Sequence, residues 1–268
     1  MGLGIAEVSA RAGQHVVVVE AGAQLAQDAL ERLAASLSRA EAKGKLKSAA
    51  DVLARIHVEC ELDALSDRDV VVEAIVEDET AKVELFKGLD AVVKAPDAIL
   101  ASNTSSIPIM KLGVATFRPT QVIGIHFFNP VPVLQLVELV PSLLTSDDTT
   151  ARSRTWVEAG LGKTAIDSQD RAGFVVNALL IPFILSAIRM CESGFASAQD
   201  IDRGLVLGAA HPQGPLALAD LIGLDTTSRR RLALRGVQRA AVRGATAAPT
   251  DGRRRSAGPQ VRPRLPLL

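Results

Sequence analysis

Short apolar runs that alternate with helical patterns constrain the fold of this chain more than any other feature. Residues 16–19 are four consecutive valines, and three more valines open the run at 70–76. Runs without regular polar positions are typical of parallel strands covered on both faces. Similar runs lie at 98–102, 122–126 and 134–140, and helical periodicity occurs at 2–12, 24–47 and 82–93. This alternation predicts an open α/β fold with a mostly parallel sheet.

The last third of the chain shows helical patterns without strands. Helical periodicity covers residues 174–192 and 216–222. Between them, Ser197-x-x-Asp200 resembles a capping box, in which a serine side chain caps the first turn of a helix. We therefore predict a sheet domain followed by a small all-α domain, over residues 1–169 and 170–228.

The last 40 residues differ in composition from the rest. Residues 229–268 contain 11 arginines, four prolines, one acidic residue and no aromatic residue. Without them, the 30 basic and 30 acidic residues of the chain fall to 19 and 29, so the remainder is acidic. A segment this poor in large apolar side chains is predicted to be disordered. A basic arm for nucleic acid is the alternative, but nothing else in the chain points to nucleic acid, and we expect no such partner.

Cysteine usage and hydropathy argue against several classes of protein. Cys60 and Cys191 lie far apart without metal-ligand spacing around them, so we expect neither a disulfide framework nor a metal site. No basic segment followed by an apolar stretch opens the chain, and Pro182 interrupts the longest apolar run, at 178–185. We therefore expect a cytoplasmic protein without a membrane partner.

Two glycines and an acidic residue near the N-terminus suggest a nucleotide site. Gly2-x-Gly4 stands at the start of a predicted helix, and Glu20 directly follows the first predicted strand. In dinucleotide-binding folds, glycine lets a helix N-terminus approach a pyrophosphate, and a carboxylate after the next strand binds a ribose. Alternatively, the two glycines serve only helix packing or capping, without a nucleotide site.

A carboxylate within an apolar strand is the most informative single residue. Glu138 is the one polar residue between 136 and 140, so its side chain should be buried and should need a partner. His126, at the end of the preceding predicted strand, is the nearest histidine. In such a pair one ring nitrogen is fixed as a donor, which leaves the other as a base. A purely structural pair fits the spacing equally well.

Small polar residues follow one buried strand, and two cations share one helix face. The string 102–106 contains only serine, asparagine and threonine, and it lies where parallel sheets bind ligands. A turn that caps a helix would use the same residues. Arg39 and Lys43 are four residues apart on a predicted helix, where they could meet phosphate groups or simply form a solvated face.

Seven strings in register resemble one enzyme family. They are Gly2-x-Gly4, VEAIVE at 72–77, ASNTSS at 101–106, HFFNPVP at 126–132, AGFVVN at 172–177, HPQGP at 211–215 and IGLD at 222–225. Together they resemble the 3-hydroxyacyl-CoA dehydrogenases, in particular the bacterial 3-hydroxybutyryl-CoA type, over residues 2–227. The resemblance implies a Rossmann-like sheet followed by a helical domain, with NAD as cofactor.

The resemblance also implies a role for each candidate residue. The family's general base and the glutamate that orients it fall on His126 and Glu138. The residues expected to bind the reacting oxygen and orient the substrate are Ser105 and Asn177. The expected cofactor contacts are Gly2, Glu20, Glu77, Lys82 and Asn103, and the expected contacts to CoA phosphates are Arg39 and Lys43.

The implied reaction is oxidation of an (S)-3-hydroxyacyl-CoA to the 3-oxoacyl-CoA. His126 would accept the hydroxyl proton while hydride leaves the same carbon for the nicotinamide. Glu20 favours NAD over NADP, the alternative cofactor, because a carboxylate repels a 2′-phosphate. A dehydrogenase of a free hydroxy acid is the alternative function within this class, and Arg39 and Lys43 would discriminate between the two substrates.

Both ends of the chain depart from the family pattern. The sequence starts at the methionine before the third fingerprint glycine, so we expect the first strand and the pyrophosphate loop to be missing, as after a start at an internal methionine. Near Ser228 the sequence turns to arginine, alanine and proline, for which a shift of reading frame is the plainest hypothesis. The family's C-terminal helices contribute to a homodimer, so we expect weakened dimerisation. A product without activity is the second alternative.

Overall fold

The structure of the chain is a computed structural model that describes residues 1–222. The predictions for the tail at 229–268 lie outside the described residues. Within residues 1–222, no helix combines the length and the apolar character that a membrane span requires.

Seven strands and nine α-helices make up the described part of the chain. The strands are β1 (Val16–Val19), β2 (Ile56–Glu59), β3 (Val70–Glu73), β4 (Ile99–Ser102), β5 (Val122–Phe127), β6 (Leu136–Pro141) and β7 (Thr164–Asp167). The helices are α1 (Gly2–Arg11), α2 (Ala23–Ala42), α3 (Ala49–Leu53), α4 (Glu79–Val92), α5 (Ile109–Gly113), α6 (Asp147–Thr155), α7 (Val176–Glu192), α8 (Ala198–Gly208) and α9 (Pro215–Ile222).

The described strands form two sheets. β1 and β2 pair in parallel, and the larger sheet has the order β3-β4-β5-β6-β7. Neighbours in the larger sheet are parallel except β5 and β6, which are antiparallel. The predicted α/β fold with a mostly parallel sheet is therefore confirmed. β1 and β3 are not hydrogen-bonded to each other, so the two sheets are separate.

Two elements end earlier than their apolar patterns predict. The predicted helix at 24–47 is wrong at its C-terminal end: α2 stops at Ala42, because Gly44 adopts a left-handed φ of 65°. The predicted strand at 70–76 stops at Glu73, whose carboxylate accepts the N–H of Ile75 and so diverts the backbone from the sheet. A pattern of apolar residues shows which positions are buried and not where the backbone hydrogen bonds stop. For this reason the sequence predicted C-terminal ends for α2 and β3 that lie too far along the chain.

Five elements were not predicted, namely the strands β2 and β7, the five-residue helices α3 and α5, and the longer helix α6. Both strands have only four residues, of which two are exposed, so they carry too weak an apolar signal. α6 buries only Thr149 and Ser153 and therefore has no apolar stripe. In contrast, the cap of α8 is confirmed, because the Ser197 side chain accepts the N–H of Asp200.

The large sheet supplies side chains to two cores, one on each face. Ile99 and Ala101 of β4 pack in one core with Ile5 of α1, whereas Leu100 packs in the other core with Phe86 of α4. A third cluster joins α1 and α2 to the smaller sheet. Because the strand middles are committed to apolar packing on both faces, polar side chains gather at the carboxyl ends of the strands.

Candidate active site

Two neighbouring strands bring His126 and Glu138 face to face. In the antiparallel register of β5 and β6, these two residues stand opposite each other. Nδ1 of His126 lies 2.7 Å from Oε2 of Glu138. The Glu138 side chain has no exposed surface, and that of His126 is 5% exposed. The predicted contact between the buried carboxylate and the histidine is therefore confirmed.

Backbone groups complete the surroundings of Glu138. Its Oε1 accepts the N–H groups of Val175 and Val176 at 3.0 and 2.9 Å. These two amides lie at the start of α7, where helix N–H groups have no partner within the helix. The hydrogen bonds offset the free energy of burying the carboxylate. The helical part of the chain thus holds a carboxylate of the sheet in place.

The position of Glu138 determines which nitrogen of His126 carries a proton in the neutral ring. An ionised carboxylate can only accept hydrogen bonds, so Nδ1 must donate. Nε2 then keeps a lone pair, and it has no hydrogen-bond partner among residues 1–222. A ring in this tautomer can take up a proton at Nε2 while the carboxylate stabilises the resulting charge.

Aromatic rings flank the histidine. The ring centroids of Phe128 and Phe174 lie 4.7 and 5.4 Å from that of His126, in edge-on arrangements. Phe128 belongs to the turn after β5, which contains a cis peptide bond between Asn129 and Pro130. The two rings therefore form apolar neighbours of the imidazole.

One carboxylate holds the polar turn after β4, which comprises residues 103–106. Oε1 of Glu77 accepts the N–H groups of Ser105 and Ser106 and the hydroxyl groups of Thr104 and Ser106, at distances from 2.6 to 3.1 Å. Burial raises the pKa of Glu77, but hydrogen bonds from Thr104 and Ser106 and the charge of Lys82 outweigh burial and hold the pKa below its ordinary value. The ionised side chain fixes the backbone around Ser105.

The same turn contacts both the histidine strand and the segment before α7. Oδ1 of Asn103 accepts the N–H of Phe127, the residue after His126, at 2.8 Å. The carbonyl oxygen of Ser105 accepts the N–H of Gly173 at 3.3 Å. Asn177 is buried on the first turn of α7, directly after the Val176 amide that binds Glu138. The elements that carry Ser105, His126 and Asn177 therefore meet at one place.

Lys82 lies between two carboxylates, one of which the sequence analysis missed. Its Nζ is 2.5 Å from Oε1 of Glu73 and 3.5 Å from Oε2 of Glu77. Lys82 and Glu73 are almost fully buried, so the lysine presents little surface to a ligand. A single glutamate after three valines was the signal that could have revealed Glu73, just as an apolar run revealed Glu138.

The N-terminus of α1 lies beside the carboxyl end of β3. A Cβ atom added at Gly2 would lie 3.5 Å from Cβ of Ala74, and one at Gly4 would lie 3.0 Å from Cβ of Val131. Gly4 thus allows close contact between α1 and the turn after β5. Because helix N-termini attract anions, this part of the chain fits the pyrophosphate of a dinucleotide.

Glu20 lies near the same helix end. Burial, and then the charge of Arg32, lower the pKa of the Met1 amine, and the charge of Glu20 opposes them. A carboxylate after β1, beside the N-terminus of α1, fits the ribose hydroxyls of NAD. The chemistry of these groups therefore agrees with the predicted cofactor.

The structure does not bring Arg39 and Lys43 to the histidine. Both are exposed at the end of α2, and neither forms an ion pair with another described residue. They are therefore free to bind a phosphate group. Among residues 1–222, no three His, Cys, Asp or Glu side chains are arranged to hold a metal ion.

Comparisons with known proteins agree with this geometry. The NAD binding domain of the 3-hydroxyacyl-CoA dehydrogenases matches residues 1–171, and the C-terminal domain of the same family matches residues 173–249.

Individual relatives cover most of the chain. A 3-hydroxybutyryl-CoA dehydrogenase from Mycobacterium tuberculosis is 53% identical over 228 residues, which cover 84% of this chain and 80% of the relative. A probable 3-hydroxybutyryl-CoA dehydrogenase from Deinococcus radiodurans is 48% identical over 227 residues, covering 84% and 81%. The crystal structure of an (S)-3-hydroxybutyryl-CoA dehydrogenase from Ralstonia eutropha superposes with a TM-score of 0.83 at 44% identity, covering 87% of this chain and 83% of that one. This chain therefore belongs to the 3-hydroxyacyl-CoA dehydrogenase family.

Proposed function

We propose that this protein interconverts an (S)-3-hydroxyacyl-CoA, in particular 3-hydroxybutyryl-CoA, and the corresponding 3-oxoacyl-CoA. The observation that carries the proposal is the 2.7 Å contact between Nδ1 of His126 and a fully buried Glu138. The names of the relatives support the substrate, and the family's NAD binding domain supports the cofactor.

His126 acts as the general base of the proposed reaction. Its Nε2 accepts the proton of the substrate 3-hydroxyl group, and Glu138 stabilises the imidazolium through Nδ1–H. In the reverse direction the imidazolium returns this proton to the oxygen. Bound NAD supplies the acceptor for the hydride that leaves the same carbon.

The other candidate residues hold the reactants around this base. Ser105 and Asn177 bind the reacting oxygen and orient the substrate. The residues proposed to hold NAD are Gly2, Glu20, Glu77, Lys82 and Asn103. Arg39 and Lys43 bind the CoA phosphates, and their exposed side chains without ion pairs support this role. The cytoplasmic location and the weakened homodimer are predictions from the sequence alone.

A comparison of two substrates tests the proposal. Purified protein should oxidise NADH with acetoacetyl-CoA and much more slowly with free acetoacetate. The double charge reversal Arg39→Glu/Lys43→Glu should raise the KM for acetoacetyl-CoA by about tenfold, which corresponds to ~1.4 kcal/mol of binding free energy. Reversal of the exposed Lys87 on α4 is the matched control and should leave this KM unchanged.

Two results would contradict the proposal. Equal rates with the thioester and the free acid would reject a CoA substrate, and absence of NADH oxidation with either would reject the dehydrogenase function.

A further inference from the structure

Glu73 has no role in the reaction described above, yet it lies at a junction of hydrogen bonds that reach the active site. It is the last residue of β3 and stands opposite Ser102, the last residue of β4. Its side chain has no exposed surface, so neither substrate nor cofactor can touch it. Any influence on the reaction must pass through its neighbours.

One branch of the junction leads through Ser102 to the turn at 103–106. Oε2 of Glu73 accepts the hydroxyl group of Ser102 at 2.6 Å, and the Ser102 oxygen accepts the N–H of Thr104 at 3.1 Å. The carbonyl oxygen of Glu73 accepts the N–H of Asn103 at 2.8 Å. The side chain and the backbone carbonyl group of Glu73 thus both hold the first half of the turn.

The other branch leads through Lys82 to the second half of the turn. Oε1 of Glu73 accepts the N–H of Ile75 at 2.7 Å and the ammonium group of Lys82 at 2.5 Å. The same ammonium group lies 3.5 Å from Glu77, whose other oxygen holds Ser105 and Ser106. Lys82 therefore links the Glu73 carboxylate to the carboxylate that holds the second half of the turn.

We propose that Glu73 is a positioning residue that fixes the turn at 103–106 through Ser102 and Lys82. In this way it sets the positions of Asn103 and Ser105, and the inference rests on the function proposed above. A carboxylate is needed because three donors converge on its two oxygens. Glutamine would place an NH₂ group where one donor points, and it would leave the buried ammonium group without its nearest negative charge.

The test compares two isosteric variants, Glu73→Gln and Glu7→Gln. Glu7 is a matched control because it is a buried carboxylate that also binds one cation, Arg11, and one serine, Ser36. Its partners lie on α1 and α2, away from the turn. A purely structural role for Glu73 predicts that the two variants behave alike.

Amide hydrogen exchange is the first readout, because it does not depend on turnover. In Glu73→Gln, the amides of Thr104, Ser105 and Ser106 should exchange at least about tenfold faster than in the native protein. In Glu7→Gln they should exchange at the native rate, even though the melting temperature falls. Native exchange at the three amides of a folded Glu73→Gln variant overturns the proposal.

The second readout is the kcat for acetoacetyl-CoA reduction at saturating NADH and a temperature at which both variants are folded. It should fall by about tenfold or more in Glu73→Gln, because small misplacements of orienting groups slow turnover strongly. It should stay within about twofold of the native value in Glu7→Gln, because Glu7 orients no reacting group. Parallel losses in both variants overturn the proposal.

A weaker variant covers the case in which Glu73→Gln does not fold. Ser102→Ala removes only the link between Glu73 and Thr104. The Ser105 amide has no direct bond to Ser102, so its faster exchange in this variant supports the proposal, and its unchanged exchange overturns it. A native protein that fails to reduce acetoacetyl-CoA would reject the proposed function, while the exchange comparison would still decide the role of Glu73.

Discussion

In the described part of the chain, the buried pairs Glu138–His126 and Glu73–Lys82 lie beside the carboxyl ends of β5 and β3, and they differ in how many partners the basic group has. Glu138 and Glu73 both have fully buried side chains, and each binds one base and backbone amides. Nδ1 of His126 binds the carboxylate, and Nε2 has no hydrogen-bond partner among the described residues. Lys82 has a single nitrogen, which faces Glu73, Glu77 and the carbonyl oxygen of Ile75.

The same arrangement, a buried carboxylate bound to one basic side chain, has a different consequence in each pair. In each case a carboxylate enclosed by apolar strands orients a base, because a buried charge requires a partner. The two nitrogens of imidazole let the pair be held in place and still react. The ammonium group of Lys82 has no lone pair, so it cannot act as a base and instead holds neighbouring groups in place.

The largest effect is expected for His126→Gln, which removes the base. Turnover should fall by roughly 10²- to 10⁴-fold, the usual contribution of a positioned acid–base group. The affinity for NADH, measured by fluorescence titration, should stay close to native, because the substitution leaves α1 and Glu20 untouched. Equal turnover in variant and native protein would reject the assignment.

Glu138→Gln should lower turnover by about 10²-fold through the tautomer of the ring. The amides of Val175 and Val176 require an oxygen, so the NH₂ group of glutamine must face His126. Nδ1 then becomes an acceptor, and the proton moves to Nε2, where it blocks the base. NMR of the ring nitrogens measures this change directly, and an unchanged tautomer would contradict it.

Lys82→Met should act mainly on stability, because it leaves the Glu73 carboxylate buried without its cation. Breaking a buried pair from one side typically costs about 3–5 kcal/mol of unfolding free energy. The double variant Glu73→Gln/Lys82→Met should recover much of this loss, since no buried charge remains. Denaturant titrations of the four proteins measure the coupling. Additive losses would show that the two side chains do not stabilise each other.

The smaller of the two effects on stability is expected for Glu77→Gln, and it should depend on pH. Because the pKa of Glu77 is lowered on folding, its ionisation stabilises the native protein above the ordinary glutamate pKa of about 4.3. This stabilisation is lost as the pH falls through the lowered pKa. Unfolding free energies measured across this acidic range should therefore fall less steeply in the variant than in the native protein. Glu84→Gln, at an exposed glutamate of α4, should keep the native slope.

Parts of both sheets could be predicted from the sequence because their strands are uninterrupted apolar runs; β4 and β5 are buried throughout, and β1 is half-buried. β1, β4 and β5 were predicted within one residue at each end, from apolar runs alone. β2 and β7 were missed because half of their residues are exposed. The same limit applies to the site. Glu138 was recognised from its apolar surroundings, whereas Glu73 was missed although it lies after three valines.

The sequence by itself determined that Glu138 would be buried in an apolar strand and that its carboxylate would need a partner. His126 was the predicted partner, but only the tertiary structure decided how the two meet, which amides join them, and that Lys82 pairs with Glu73. The antiparallel register sets His126 opposite Glu138, α7 brings two amides to the same carboxylate, and α4 carries Lys82 to Glu73. The tendency of a segment to be buried depends on its own side chains, so it can be read from the local sequence. Pairing between distant segments depends on how whole helices and sheets pack, and that is a property of the folded chain.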